Sequence, residues 1–305
     1  MIHVIKPGLL TTVQDLGRTG FAHLGVSPAG AADSFSFRLA NLMVGNPANT
    51  PALEITLVGP TLEFDAPATL ALSGTRASTS IPINQAFNVV RGEKIAIGSL
   101  LDGARAYLAV QGGIAVATIM NSCSTFLPSS LGGFQGRALR AGDSIAIGEN
   151  VVAATKNLRA GFREELARTA QGPLRVTHSV QHDWFGHGEI RLLGEQTFTV
   201  NQASNRSGVR LWGKPVFPLV KRELLTEGIA LGAVQIPPDG QPIILFVDQQ
   251  TTGGYPKIAN VIAADLSRVG QLRPRDQVSF QFVTLAEAIQ ALRRQEDLLH
   301  QAFAP

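Results

Sequence analysis

The chain has 305 residues, is 45% hydrophobic and only 16% charged, and carries a formal net charge of +3. That length suits two hydrophobic cores better than one. No Lys/Arg run of the kind that grips phosphate backbones is present, and no stretch approaches the roughly 20 apolar residues of a membrane span. Cys123 is the only cysteine, which excludes an intrachain disulfide and suits a reducing compartment. The first residues, MIHVIKPGLLTTVQDLG, lack the basic start and long apolar core of a signal peptide. The expectation is a cytoplasmic protein with neither a nucleic acid nor a membrane as partner.

In chain order, Ile2–Ile5 and Leu9–Val13 read as short strands separated by Pro7-Gly8. Asp33 is a good N-cap, and the apolar spacing of Phe37, Ala40, Leu42, Met43 and Val44 predicts a helix stopped by Gly45-Asn46-Pro47. From Ala52 to Gly148 short strands alternate with turns: LEITLVG (53–59), ATLALSG (68–74), KIAIG (94–98), AYLAVQGG (106–113) and SIAIG (144–148). Glycine or proline punctuation about every 8–12 residues is the pattern of a barrel or sandwich. GEKIAIG (92–98) and GDSIAIG (142–148) echo one another and support repeated barrel construction.

Residues 151–172 are charged, short of β-branched residues and close with Gly172-Pro173, so they read as a linker with room for a helical turn. The expected domains are 1–150 and 173–305. In the second, LRVTHSV, RLLGEQTFTV, GVRLWG, AVQIPPDGQPIILFV and LRPRDQVSFQFV all read as β-rich. Thr284 and Glu287 form a T-x-x-E capping box before an amphipathic helix over 285–303.

The stretch Asp248 to Asp265, DQQTTGGYPKIANVIAAD, lies between two apolar runs, 242–247 and 258–264. Gly253 and Gly254 allow unusual backbone angles and close approach. Thr251, Thr252, Tyr255 and Lys257 offer three hydroxyls and an ammonium on one short bend. Such a loop is a candidate binding element, and a tight turn with a polar surface is the plain alternative.

Other motifs carry less. His178, His182 and His187 with Asp183 would align imidazoles only on a helix, the local pattern reads as strand and loop, and no metal is assigned. Cys123 has no sequence partner that would activate a thiolate. The glycine-rich LGGFQGR (131–137) offers one arginine and reads as a turn. Neither a phosphate-cradling G-x-x-x-x-G-K-[ST] nor a dinucleotide-binding G-x-G-x-x-G after a strand is present. Polar residues stand in apolar surroundings at Gln14-Asp15, Asp33, Glu54, Gln235 and Asp248. A carboxylate buried at Glu54 needs a partner or a role, and Arg18 is a candidate partner.

TTVQDLGRTG (11–20), GVSPAGAAD (25–33), LANLMVGNP (39–47), ALEITLVGPTLEF (52–64) and YLAVQGGI (107–114) together carry a resemblance. So do NRSGVRL (205–211), TEGIALGAVQIPPDGQPI (226–243) and DQQTTGGYPKIANVIAADL (248–266). The chain resembles the biotin-dependent carboxyltransferase-domain family, from about residue 2 to 283. That family includes allophanate hydrolase subunit 2-like proteins, 5-oxoprolinase subunits, regulatory antagonists of a sporulation kinase inhibitor, and half of the carboxyltransferase domain of urea carboxylase. The resemblance implies a mainly β fold of two cyclophilin-like β-barrel domains with a few short helices and a C-terminal helix. It implies a companion B component, allophanate hydrolase subunit 1-like, and a wider complex that adds an A component. In that complex ATP, held by the assembly, drives opening of 5-oxoproline to glutamate. It also implies two alternatives: a regulatory binding subunit, or carboxyl transfer from carboxyl-biotin to urea or a similar amide.

The chain departs from the family pattern in places. The family commonly has glycine, arginine and aspartate where Asn121, Cys123 and Phe126 stand, arginine at Gln249, methionine at Ser207 and glycine at Arg275. His178-Ser179-Val180 replaces a usual glycine-proline stretch. For lactam cleavage, Lys257 is the expected stabiliser of negative charge, and Glu54 or Asp15 the expected base. Arg18 is the expected fork for a substrate carboxylate. Gln14, Asp33, Thr251, Thr252, Gly253, Gly254 and Tyr255 complete the expected substrate-binding set.

Overall fold

A computed structural model describes residues 1–149, 154–169, 171–219 and 224–303. The chain divides into two compact units. One comprises Met1–Thr19, Ala29–Arg163 and the C-terminal residues from Leu299; the other comprises Gly20–Pro28 and Glu164–Leu298. Part of the expected linker 151–172 lies outside the described residues.

The first unit holds β1 (Ile2–Lys6), β2 (Leu10–Gln14), α1 (Ser34–Met43), β3 (Ala52–Thr56), β4 (Thr61–Phe64), β5 (Ala68–Gly74), β6 (Ala86–Val89), β7 (Lys94–Ala96), β8 (Arg105–Val110) and β9 (Ser144–Ile145). These make a five-stranded sheet, β2-β3-β8-β5-β6, and a four-stranded sheet, β7-β4-β1-β9, both antiparallel. Every residue of β8 is buried, as its unbroken run RAYLAV and its place mid-sheet require. One apolar cluster joins both sheets, through Ile2, Val4, Leu53, Ile55, Leu62, Phe64, Leu108 and Ile145. The Asp33 side chain accepts from the Ser36 N–H at 3.0 Å and so caps α1. The helix packs on β5 and β8 and buries Phe37, Leu39, Ala40 and Met43 completely. Burying a large apolar side chain in this way stabilises the fold by about 1.5–3 kcal/mol relative to exposure.

The second unit begins in the expected linker with α2 (Phe162–Thr169), whose first residues count with the first unit. Then come β10 (Leu174–His178), α3 (His187–Glu195), β11 (Phe198–Val200), β12 (Gly208–Trp212), β13 (Glu227–Gly228), β14 (Ala233–Gln235), β15 (Ile243–Leu245), β16 (Thr252–Gly253) and β17 (Lys257–Val261). It closes with α4 (Leu266–Gln271), β18 (Gln277–Val278), β19 (Phe280–Phe282) and α5 (Leu285–His300). Eight strands form one sheet in the order β18-β11-β12-β15-β14-β17-β10-β19, parallel only at β10–β19, and β13 pairs with β16 as a separate ribbon. Residues 20–28 join this unit partly through Ser27, whose hydroxyl donates to the Val247 carbonyl at 2.8 Å.

The mainly β fold with few short helices and a C-terminal helix is the expected one. One strand expectation fails. Residues 191–195 of RLLGEQTFTV lie in α3, and only Phe198–Val200 is a strand. Ile190 and Leu193 recur at helical spacing, and Leu193 is fully buried. The capping box at α5 forms as expected: Glu287 accepts from the Thr284 N–H at 2.7 Å, and Thr284 Oγ1 accepts from the Glu287 N–H at 3.2 Å. The helix ends at His300, three residues before its expected end. Its Ala291 packs with Ile262 and Ala264. Among the described residues no helix is long and apolar enough to cross a membrane.

Candidate functional site

In the first unit the predicted residues are buried and bonded to their own framework. Asp15, 3% exposed, follows β2. Its carboxylate accepts from the Gly17 N–H at 2.8 Å, the Ser122 hydroxyl at 2.7 Å, the Cys123 N–H at 2.6 Å and the Ser124 hydroxyl. Four donors on two oxygens hold the loop over 121–125 against the end of β2. Arg18, 1% exposed, donates to the Ser124 carbonyl of the same loop. Gln14 donates through Nε2 to Thr12 Oγ1 at 3.0 Å and to the Thr125 carbonyl at 3.1 Å.

Glu54, on β3, sits opposite Tyr107 of β8. The Tyr107 hydroxyl donates to Glu54 Oε2 at 2.8 Å and accepts from the Asp33 N–H at 2.7 Å, while the Ala32 N–H also donates to Oε2 at 2.8 Å. The Arg105 guanidinium lies 3.9 Å from Glu54 Oε1. Burial first, then the Glu54 charge, pushes the Tyr107 phenol well above its ordinary pKa. Asp33 itself is occupied as the cap of α1.

Cys123 is 9% exposed, and its thiol lies 3.5 Å from Thr118 Oγ1. The glycine-rich turn 131–137 is tied down: the Arg137 guanidinium grips Asp143 at 2.7 and 2.8 Å, and the Gly133 N–H donates to the Cys123 carbonyl at 3.0 Å.

The second unit holds the more open arrangement. Lys257 starts β17, and its side chain is 3% exposed. Its ammonium donates to Oε1 of Glu227 on β13, a side chain 39% exposed. Gln181 joins them, donating through Nε2 to the same Glu227 oxygen at 2.6 Å and accepting from the Lys257 N–H at 3.3 Å. The hydrogen bond from Lys257, then that from Gln181, holds the Glu227 carboxyl below its ordinary value of 4.5. A buried cation thus ends on a half-exposed carboxylate.

The loop before β17 does not present its polar groups together. Thr252, Gly254 and Tyr255 are exposed, Thr251 and Gly253 half-buried, and Lys257 points inward. Neither Gly253 nor Gly254 has a positive φ, so the expectation of special backbone angles fails. Space is the reason for glycine at 253: a Cβ there would stand 2.6 Å from Ile229 Cδ1 and 3.1 Å from Gln235 Nε2. Two glutamines line this region. Gln235 is 1% exposed and its Nε2 has no hydrogen-bond partner among the described residues. Gln249 is 4% exposed; its Nε2 donates to the Ile229 carbonyl at 3.2 Å, and its Oε1 is without a partner among the described residues. Each such atom costs about 1–3 kcal/mol. Asp248 is paired, bidentate with the buried Arg206 at 2.8 and 3.0 Å.

Sequence reasoning missed Glu227 and Gln181. Glu227 was visible as a lone acid between Leu225 and Ile229, but nothing local joins it to a lysine 30 positions away. Gln235 and Asp248 stood out as polar residues in apolar runs without being given a role. Among the described residues no group of three or more His, Cys, Asp or Glu is placed to hold a metal ion. The His178 and His182 rings lie with centroids 4.9 Å apart, and His178 also stacks on Phe282.

The comparisons with known proteins agree with this architecture. Residues 24–282 match the model of a family described as carboxyltransferase domain, subdomain A and B. The chain is similar to the C component of the 5-oxoprolinase of Escherichia coli (strain K12), 38% identical over 311 residues that span 99% of this chain and 97% of the relative. It is 34% identical to urea amidolyase of Saccharomyces cerevisiae over 97% of this chain, but only 17% of that protein. The crystal structure of the K. lactis urea amidolyase superposes on all of this chain with a TM-score of 0.90 at 31% identity, and the chain spans a fifth of it. The protein belongs to the family of carboxyltransferase domains built from subdomains A and B.

Proposed function

We propose that this chain is the C-type component of an ATP-dependent 5-oxoprolinase, a complex that opens 5-oxo-L-proline to L-glutamate. The likeness to a 5-oxoprolinase component over nearly the full length of both proteins supports the assignment. The observation that carries the chemistry is the buried Lys257 ammonium on half-exposed Glu227, beside the threonine-glycine loop. A pre-set cation of this kind stabilises the oxyanion that forms when water adds to a lactam carbonyl, before the C–N bond breaks and the ring nitrogen takes a proton. Thr251 and Thr252 stand on the adjoining loop, and Tyr255 offers an exposed edge for the ring. Asp15, Glu54, Arg18, Gln14 and Asp33 are assigned here to holding the first unit's loops, because each hydrogen-bonds to groups of that unit. ATP is assigned to the companion components, B of the allophanate hydrolase subunit 1 type and A, since this chain has no phosphate-cradling motif.

The residues present do not fit carboxyl-biotin at the two positions where the family commonly carries arginine. Cys123 is a small buried thiol, and the Gln249 Nε2 is committed to the Ile229 carbonyl. The likeness to urea amidolyase favours amide carboxylation as a second reading. The test is ATP hydrolysis and glutamate formation with 5-oxoproline by this chain and its companion components, each omitted in turn. Loss of both on omitting this chain is expected. Equal turnover without it overturns the assignment, and bicarbonate-dependent consumption of urea in its place supports the second reading.

A further inference from the structure

The residues described for lactam opening leave two buried carboxamides of the second unit unexplained. Gln235 closes β14, where its register partners are Ile243 and Lys257, so it adjoins the lysine on the same sheet. Its Nε2 lies over the backbone of Gly253, close enough that a Cβ there would stand 3.1 Å away. Gln249 is fixed to Ile229 by its hydrogen bond to the Ile229 carbonyl, which leaves its Oε1 outside that bond. Ile229 in turn touches the position over Gly253. One buried N–H donor and one buried carbonyl acceptor therefore flank the same residue pair, and neither is satisfied among the described residues.

A buried polar atom without a protein partner calls for an explanation, and a ligand that supplies the partner is one. A lactam or a urea presents a carbonyl oxygen and an N–H on one edge. A carboxylate presents only acceptors, and an amine only donors. We infer that Gln235 and Gln249 are the amide-recognition pair of the site, with Gln235 Nε2 donating to the substrate carbonyl oxygen and Gln249 Oε1 accepting from the substrate N–H. This inference rests on the reading of the second unit as the lactam site, and it names the two side chains that read the amide edge.

The test uses Gln235→Leu, which removes the polar atoms and keeps the volume. In the reconstituted complex the KM for 5-oxoproline rises at least about tenfold, while the melting temperature of the full chain stays level or rises. In the wild-type chain labelled with ¹⁵N-glutamine, the side-chain NH₂ signals of Gln235 and Gln249 shift on adding 5-oxoproline, 2-pyrrolidinone or urea, and not on adding cyclopentanecarboxylate. A KM within about twofold of wild type overturns the inference while leaving the oxoprolinase reading intact. So does a fall of more than about 5 °C in melting temperature, which marks a framework role. Signals unmoved by all three amides overturn it even if the variant does not fold. Signals that move with urea in a chain whose complex ignores 5-oxoproline uphold the amide pair and remove the oxoprolinase reading.

Discussion

Lys257 and Glu227 form an ion pair whose two ends see different surroundings, the lysine side chain 3% exposed and the glutamate 39%. The asymmetry sets opposite outcomes for the two deletions. Lys257→Met replaces the ammonium with an apolar chain of similar length and leaves Glu227 able to hydrate, so stability changes by less than about 1.5 kcal/mol. Glu227→Ala leaves a buried ammonium without its carboxylate and costs about 3 kcal/mol. Turnover of 5-oxoproline by the complex falls by about 100-fold or more in Lys257→Met, the loss typical of removing one oxyanion donor. Urea denaturation of the full chain, beside the assay, checks both. A Met variant that is unstable or fully active contradicts the role given to Lys257.

The same pair fixes an acid limit. Lys257 first, and Gln181 second, hold the Glu227 carboxyl below 4.5. A carboxyl whose folded pKa is depressed contributes stability in full above its unfolded value, and that contribution fades as pH falls through the folded value. The β13–β16 ribbon is therefore expected to hold unchanged from neutral pH to about 4.5 and to loosen below it. In Lys257→Met the Glu227 titration moves upward, and a ¹³C carboxyl titration followed by NMR measures the shift. An unchanged midpoint would mean that Lys257 is not its main partner.

Asp15 behaves as an anchor rather than a base. Its two oxygens already accept from Gly17, Ser122, Cys123 and Ser124. Asp15→Asn turns an acceptor into a donor that faces other donors, at a cost of about 2–4 kcal/mol. The expected result is a lower melting temperature with kcat per folded molecule and the pH–rate profile unchanged. A shifted pH–rate profile in a well-folded Asn variant would restore Asp15 as the base.

What the sequence made legible was local. The Asp33 cap, the T-x-x-E box and the buried run of β8 depend on residues within one element, and each appears where its pattern placed it. RLLGE reads equally well as strand or helix because adjacent leucines satisfy both templates, and only the burial of Leu193 decides between them. The pairing of Lys257 with Glu227 was not legible, because it joins the ends of β13 and β17, 30 positions apart. Glu54 was legible as a buried carboxylate, but its phenol partner, Tyr107, is set by the β3–β8 register.

Two departures from the family pattern acquire a backbone meaning. Asn121 and Arg275 stand where glycine is common, and both have positive φ, 60° and 76°. The left-handed region costs a side-chain-bearing residue about 1–2 kcal/mol, and asparagine less than most. Arg275→Gly is therefore expected to stabilise the chain by about 1 kcal/mol, and Asn121→Gly by clearly less. Chemical denaturation of the two variants checks the order, and a destabilised Arg275→Gly would show that the arginine side chain contributes more than the backbone strain it imposes.

Tyr107 gives a test that reads the first unit's interior directly. The chain has only two tyrosines, so Tyr255→Phe leaves Tyr107 as the sole phenol. Burial and the neighbouring Glu54 charge raise its pKa well above 10. A group whose folded pKa is raised contributes stability in full below its unfolded pKa, and that contribution is lost as pH rises toward the folded value. Stability is thus expected to be level up to about pH 10 and then to fall by about 1.4 kcal/mol per pH unit. The phenolate absorption band of Tyr255→Phe should appear only together with alkaline unfolding seen by circular dichroism. Ionisation of Tyr107 in a chain that is still folded near pH 10 would mean that its hydroxyl is not held between Glu54 and the Asp33 N–H. In that case Tyr107→Phe would be harmless, instead of costing the about 1–3 kcal/mol expected from stranding the Asp33 N–H and taking one of two donors from Glu54 Oε2.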